Sequence, residues 1–243
     1  MQGEAGTVGL ARLELSNLLG TGRALALHWE SRGRGLADFD ARYREPLVLG
    51  LPLQLEGMLA QQVQDTLFIR TRWGARAGFA LSAQERIELG FEGERVVQAT
   101  GELEQAWLQH TVFALERTTL DVPLAPRRGS RARVSADEIF KRERLRPPAT
   151  RTARASAVEG RLELHHPLAP ATGLALELAL AGRFSSQRVL PVFERYPLGG
   201  AATLRGFDEE AFRVDRYALT RTEWRAFLGG AQRLALFWDH AWT

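Results

Sequence analysis

Apolar and polar residues alternate along this chain with a period of two. Leu174, Leu176, Leu178, Leu180, Gly182 and Phe184 form one row, and Ala175, Glu177, Ala179, Ala181 and Arg183 form the other. Arg86, Glu88, Gly90 and Glu92 alternate with Ile87, Leu89 and Phe91. Phe39, Ala41 and Tyr43 alternate with Asp38, Asp40, Arg42 and Arg44. Successive side chains of a strand point to opposite faces, so this period predicts strands with two unlike faces. About 12 such segments are expected, near 7–16, 23–31, 36–45, 51–63, 66–79, 85–97, 106–118, 130–138, 152–165, 173–186, 214–227 and 232–242. Several reach the roughly 9–11 residues of a membrane-crossing strand, beyond the usual ~5–6 of a soluble one. Only Ala136–Arg146 carries a competing helical pattern.

The links fall into two expected classes. Leu19-Gly20-Thr21-Gly22, Glu45 through Pro52, Pro123 through Gly129, Pro167 through Gly173 and Leu228-Gly229-Gly230 are compact and rich in Gly and Pro. Glycine supplies positive φ there and proline presets it. Val97–Gln105, Ile139–Arg151 and Gln187–Arg213 read as longer and more polar. An up-and-down membrane barrel sorts its links in this way, with short turns at one end and long loops at the other. A soluble β-sandwich or closed barrel, with the apolar row inside, stays open, because periodicity does not say which row faces in.

Composition changes this picture little. Of 243 residues, 45% are hydrophobic and 25% charged, and no apolar run approaches a membrane helix. A barrel hides its lipid-facing residues in alternation, so a mean hydropathy of −0.21 leaves a membrane protein possible. The net charge is +3 with a pI near 9.9, and Lys141 is the one lysine. Arginines are interspersed with Asp and Glu, so no nucleic-acid partner is expected. The exception is Arg127–Arg154, with ten basic and three acidic residues. It reads as a solvated loop with its flanks, or as a place for phosphate groups. There is no cysteine, and Met1-Gln2-Gly3-Glu4-Ala5-Gly6 lacks the basic and apolar regions of a signal peptide. If the protein is exported, its natural start is expected to lie elsewhere.

Enzyme chemistry finds no support. No G-x-S-x-G elbow or P-loop occurs, and Gly20-Thr21-Gly22 lacks the third glycine of a dinucleotide site. His165-His166 precede Pro167 in an expected turn, without the spacing of metal ligands. No cofactor is expected.

The stretch Phe193–Phe207, FERYPLGGAATLRGF, stands apart. It lies in a 27-residue link, 187–213, with apolar anchors of its own. It resembles the loop of the outer-membrane protein assembly factors, the BamA/TamA-like bacterial surface antigen family. There Gly-Gly and a Val/Leu-Arg-Gly-Phe/Tyr tetrad fold into the lumen of a membrane barrel. Ser16–Arg23, Tyr43-Arg44-Glu45-Pro46, the D-x-P-x-x-P-x-x-G-S-R pattern within Leu120–Arg131, Glu223 and Phe237-Trp238-Asp239 resemble further family segments, in order.

The resemblance implies an all-β, antiparallel up-and-down transmembrane barrel as one domain over 1–243. It implies that about four of the family's sixteen strands, and the preceding POTRA modules, are absent from this chain. It assigns a lumen loop motif to Gly199, Gly200, Leu204, Arg205, Gly206 and Phe207, with Gly206 allowing close approach. Glu223 and Asp239 become the carboxylates that anchor Arg205, and alternation places both on one face independently. The implied function is insertion or translocation of proteins at the outer membrane of a Gram-negative-type envelope. The implied partners are outer-membrane lipid, unfolded outer-membrane or secreted proteins, and periplasmic accessory proteins. A barrel that anchors or exports a fused passenger, such as a patatin-like lipase, is the alternative. A soluble β-protein is the third reading.

Overall fold

The structure, a computed structural model, describes residues 8–243 apart from 34, 66, 124, 230 and 231. The expectations for Met1–Gly6, for residues 7 and 66 at segment starts, for Leu124 and for Gly230 lie outside the described residues. Twelve long strands are present: β1 Val8–Leu18, β2 Arg23–Gly33, β3 Leu36–Glu45, β4 Leu53–Gln64, β5 Phe68–Ala80, β6 Glu85–Val97, β7 Leu103–Thr118, β8 Gly129–Leu145, β9 Ala149–Ala169, β10 Thr172–Ser185, β13 Arg216–Gly229 and β14 Gln232–Trp242. A short pair, β11 Tyr196–Leu198 and β12 Phe212–Val214, lies between β10 and β13. The long strands form one up-and-down antiparallel sheet in the order β1 to β10, then β13, then β14. The described helix is limited to two 3-10 turns, Val48–Gly50 and Val192–Glu194.

Three expectations are corrected. Ala136–Arg146 is not helical, and Ile139–Arg151 is not a long loop, because β8 runs to Leu145 and β9 starts at Ala149. His165 and His166 belong to strand β9 rather than to a turn. The links are not strictly sorted by length either. The link after β6 shrinks to 98–102, and of the expected long class only the segment between β10 and β13 is long. The missing loop residues have joined the strands, whose backbone hydrogen bonds a polar sequence supports as well as an apolar one does.

Two compact units divide the chain. One comprises Met1–Ala80, Glu88–Phe113 and Glu138–Ala155, the other Leu81–Ile87, Ala114–Asp137 and Ser156–Thr243. In the first, Glu94 is fully buried, accepts a 2.8 Å hydrogen bond from Arg70 Nη2, and has Arg72 at 3.6 Å and His110 at 3.8 Å. Arg151 Nε donates to buried Glu143 at 2.7 Å, while Leu108 and Ile139 pack on the same face of their strands. In the second unit the row of β10 splits cleanly. Leu180 is 60% exposed and its neighbour Ala181 only 7%. Leu174, Leu178 and Phe184 are exposed, whereas Ala175 and Ala179 are buried. All six tryptophans are exposed, up to 76% for Trp238. Alanine is instead the commonest residue among the described buried hydrophobic positions.

This is the inverse of a water-soluble fold. Large apolar groups gain about 25 cal/mol per Å2 on leaving water, so a soluble sheet would bury the leucine row. Lipid solvates it instead. We therefore expect Leu178→Arg to cost about 2–4 kcal/mol of stability in a bilayer, the penalty for an arginine near the midplane. Equilibrium unfolding from lipid vesicles measures it, and a change near zero would contradict a lipid-facing row.

The turn between β7 and β8 is built around Asp121. Its Oδ1 accepts from the N–H of Val122 at 2.9 Å, Arg127 at 3.1 Å and Arg128 at 3.2 Å. Desolvation pushes this carboxyl up, but the N–H donors of Arg128, Arg127 and Val122 outweigh it and leave its pKa below the ordinary value. A depressed folded pKa means that the turn's stabilisation is complete above the unfolded value, about 3.9, and is lost as pH falls through the lower folded one. The Arg128 amide signal in micelles should accordingly titrate in acid below that value. Asp121→Asn should flatten that titration, and an unchanged titration would show that another group causes it.

Candidate functional site

The segment between β10 and β13 is a small hairpin with a built tip. Tyr196 pairs with Val214, Pro197 with Arg213 and Leu198 with Phe212. Leu190, Phe193 and Leu198 of this segment are buried. Arg195 Nε donates to the Leu190 carbonyl at 3.0 Å and lies 3.3 Å from Asp215. At the tip, Thr203 Oγ1 accepts from the Gly199 N–H at 2.9 Å and donates to the Gly199 carbonyl at 2.8 Å. Glu209 accepts from the Ala201 N–H at 3.0 Å.

Gly199 and Gly200 turn the chain with φ of +115° and +89°. A Cβ at Gly199 would collide with the Asp208 carbonyl, and one at Gly200 with the Glu209 carboxylate. Gly199 is therefore required for conformation and for space, whereas Gly200 is required by its positive φ, since the Glu209 side chain could move aside. Gly206 differs from the expectation. Its φ is +91°, but nothing lies within 4 Å of where a Cβ would stand. It is required by backbone conformation, not by close approach.

Leu204 and Arg205 point at the polar face of the strands. Leu204 is buried against Ala179 and Leu219, with Tyr217 and Ala241 beside them. The adjacent Arg205 meets both carboxylates. Its Nε donates to Asp239 Oδ2 at 2.8 Å and its Nη2 to Asp239 Oδ1 at 2.6 Å, a bidentate fork. Its own backbone N–H donates to Asp239 Oδ2 at 3.0 Å. Its Nη1 donates to Glu223 Oε1. The guanidinium also lies 3.9 Å from the centroid of the Phe237 ring, a cation–π distance. Phe207 does not join this contact. It is half-exposed and meets Phe212 edge-on, with centroids 5.3 Å apart.

Strand register explains why these groups converge. Glu223 on β13 stands opposite Phe237 on β14, and Arg221 opposite Asp239. Arg221 also stands opposite Glu177 on β10. The side chain of Asp239 is only 2% exposed, so its charge needs the fork. The hydrogen bonds from Arg205 to Asp239, working against desolvation, and the one to Glu223 raise the arginine's pKa further above its already high value.

Two flanking arginines, Arg221 and Arg225, share the alternating row of Glu223 in the sequence, but alternation assigns them no partners. Arg221 lies 3.9 Å from Asp239 and 3.4 Å from Glu177, and donates to the loop carbonyls of Ala202 at 3.2 Å and Ala201 at 3.4 Å. Arg225 donates to Glu223 Oε2 at 2.7 Å and reaches His165 Nδ1 at 3.1 Å. The cross-strand register supplies what alternation lacks, setting Arg221 opposite Glu177 on one side and Asp239 on the other. Among the described residues no cluster of His, Cys, Asp and Glu could hold a metal.

An up-and-down sheet with its leucines and tryptophans outward, and a long hairpin bonded to its polar face, belongs to the class of outer-membrane β-barrels. Residues 17–242 match the Omp85 superfamily domain, and the chain belongs to that superfamily. The fold is similar to that of BamA from Haemophilus ducreyi lacking POTRA domains 1-3, with a TM-score of 0.67 at 17% identity. The match covers 98% of this chain and 56% of that one, so the chain spans little more than half its length. No curated protein matches the sequence closely enough to count.

Arg205→Ala would leave Asp239 buried and short of its fork, a loss expected to cost about 3–5 kcal/mol. Arg205→Lys should recover part of this, because an ammonium lacks the planar fork. Combining Arg205→Ala with Glu223→Ala should cost less than the sum of the two single changes in equilibrium unfolding. Strict additivity would show that the two side chains do not interact.

Proposed function

We propose that this chain is the barrel domain, or most of one, of an outer-membrane factor that inserts or translocates other proteins. The observation that carries the reading is the Arg205 contact in a sheet of the Omp85 superfamily. Gly199, Gly200 and Gly206 shape the tip, Leu204 seats it, and Arg205 bridges Glu223 on β13 to Asp239 on β14. Arg221 extends the bridge to Glu177 on β10. The loop thereby ties three neighbouring strands together from within the lumen. The whole protein would sit in the outer membrane, with lipid against the apolar face. Its substrates would be unfolded outer-membrane or secreted proteins, delivered with the help of periplasmic accessory proteins. Such a barrel works by offering a strand edge to an incoming strand, as in β-augmentation. The loop's part is to keep the wall in the geometry that this pairing needs.

The test is chromosomal replacement of Arg205 by Ala in the whole gene. Folded outer-membrane proteins should fall several-fold at unchanged level of this protein, and Arg205→Lys should lie between. Normal assembly with the Ala variant, at normal abundance, would overturn the proposal.

A further inference from the structure

The basic stretch within Arg127–Arg154 takes no part in the Arg205 site. Its second half lies in the β8–β9 hairpin, where side chains of the two faces separate. On β8, Ile139, Lys141 and Glu143 are buried, while Phe140, Arg142 and Arg144 are exposed. Phe140 therefore shares its row with the two arginines, and Val134 stands further down the same row, also exposed. On the neighbouring β7, Trp107 is exposed while Leu108 is buried. On β9, the guanidinium of Arg154 lies 5.1 Å from the centroid of the Phe140 ring. Trp107, Gln109, Phe140, Arg142, Arg144 and Thr150 line a recess of about 640 Å3.

Apart from Glu138, the outward row of β8 changes from apolar to aromatic and then to basic within a few residues. That order matches the layers of a membrane surface: acyl chains, then the level where tryptophan settles, then the charged headgroups. Arginine stems can lie along the apolar layer and keep their guanidinium groups in the headgroup layer. Acidic side chains do not cancel the patch. Glu143 is turned to the opposite face and bonded to Arg151 at 2.7 Å. Glu104 lies 3.4 Å from Arg144, and Glu138 stands one outward position below Phe140. Against these two carboxylates stand Arg142, Arg144 and Arg154, with Arg95 exposed on the outward row of β6.

We propose that this recess binds the phosphate of an anionic lipid headgroup, with Arg142 and Arg144 on the phosphate and Trp107 and Phe140 against the start of the acyl chains. Arginine suits the task, because its fork bonds phosphate oxygens in pairs. The inference rests on the reading of the apolar face as lipid-facing.

The experiment reconstitutes the chain into phosphatidylcholine nanodiscs with and without phosphatidylglycerol, then releases it for native mass spectrometry. Phosphatidylglycerol should stay bound to the wild type. The double change Arg142→Gln with Arg144→Gln should weaken retention about 30-fold, from the attraction each arginine near an anionic surface supplies. Trp107→Ala, which leaves the charge alone, should weaken it less. Removing the same charge from the polar face, as Arg131→Gln with Arg161→Gln, should leave retention unchanged. Equal retention by wild type and the Arg142/Arg144 variant, with both inserted in neutral nanodiscs, would overturn the lipid site and leave the membrane reading intact. Failure of the wild type to insert in either nanodisc would overturn both. Release of the lipid by an equal concentration of glycerol phosphate would show a site for a free phosphate ion instead, and would also overturn the proposal.

Discussion

A strand side chain has two directions to choose from, and the rest of this structure follows from how the chain uses them. Tryptophan and most of the leucines and phenylalanines take one direction, and alanine, a few larger apolar groups and arginine–carboxylate pairs take the other. With the bulky groups in lipid, little hydrophobic effect is left to hold the polar face together. Cohesion there comes from backbone ladders and charge-assisted hydrogen bonds, which gain strength where water is scarce. Buried carboxylates such as Glu94, Glu143 and Asp239 are tolerable because an arginine reaches each of them.

The hairpin between β10 and β13 applies the same rule in one place. Its tip carries one apolar and one cationic residue in succession, Leu204 and Arg205. The strands offer an alanine–leucine patch for the first and a carboxylate pair for the second. Together they fix the loop at two points, and Arg221 adds a third through the Ala201 and Ala202 carbonyls. A tip held at three points cannot slide along the face without losing all of them, which is the property a structural brace requires.

Much of this was legible before any coordinates. The period of two located all twelve long strands, because alternation persists wherever one face meets lipid. Of the residues named, Glu223 and Asp239 meet Arg205, the neighbouring Leu204 packs on Ala179 and Leu219, Gly199 and Gly200 shape the turn, Gly206 makes no close approach, and Phe207 meets Phe212. What escaped has physical causes. Ala136–Arg146 is rich in residues with good helix propensity, and pairing with neighbouring strands overrides that preference. The three-residue strands Tyr196–Leu198 and Phe212–Val214 are too short for periodicity to register. His165 looked like part of a turn because Pro167 follows, yet β9 continues through that proline to Ala169. The link lengths misled for a related reason: polar sequence at a strand's end reads as loop until its partner strand is known.

The central claim is that the outward row is solvated by lipid. The six tryptophans, all exposed, report on it without any substitution. Their fluorescence should be measured in bilayers whose acyl chains carry bromine, and again with iodide in the aqueous phase. The structure predicts strong quenching by the brominated chains and weak quenching by iodide. Strong quenching by iodide with none by bromine would place those rings in water and contradict the account.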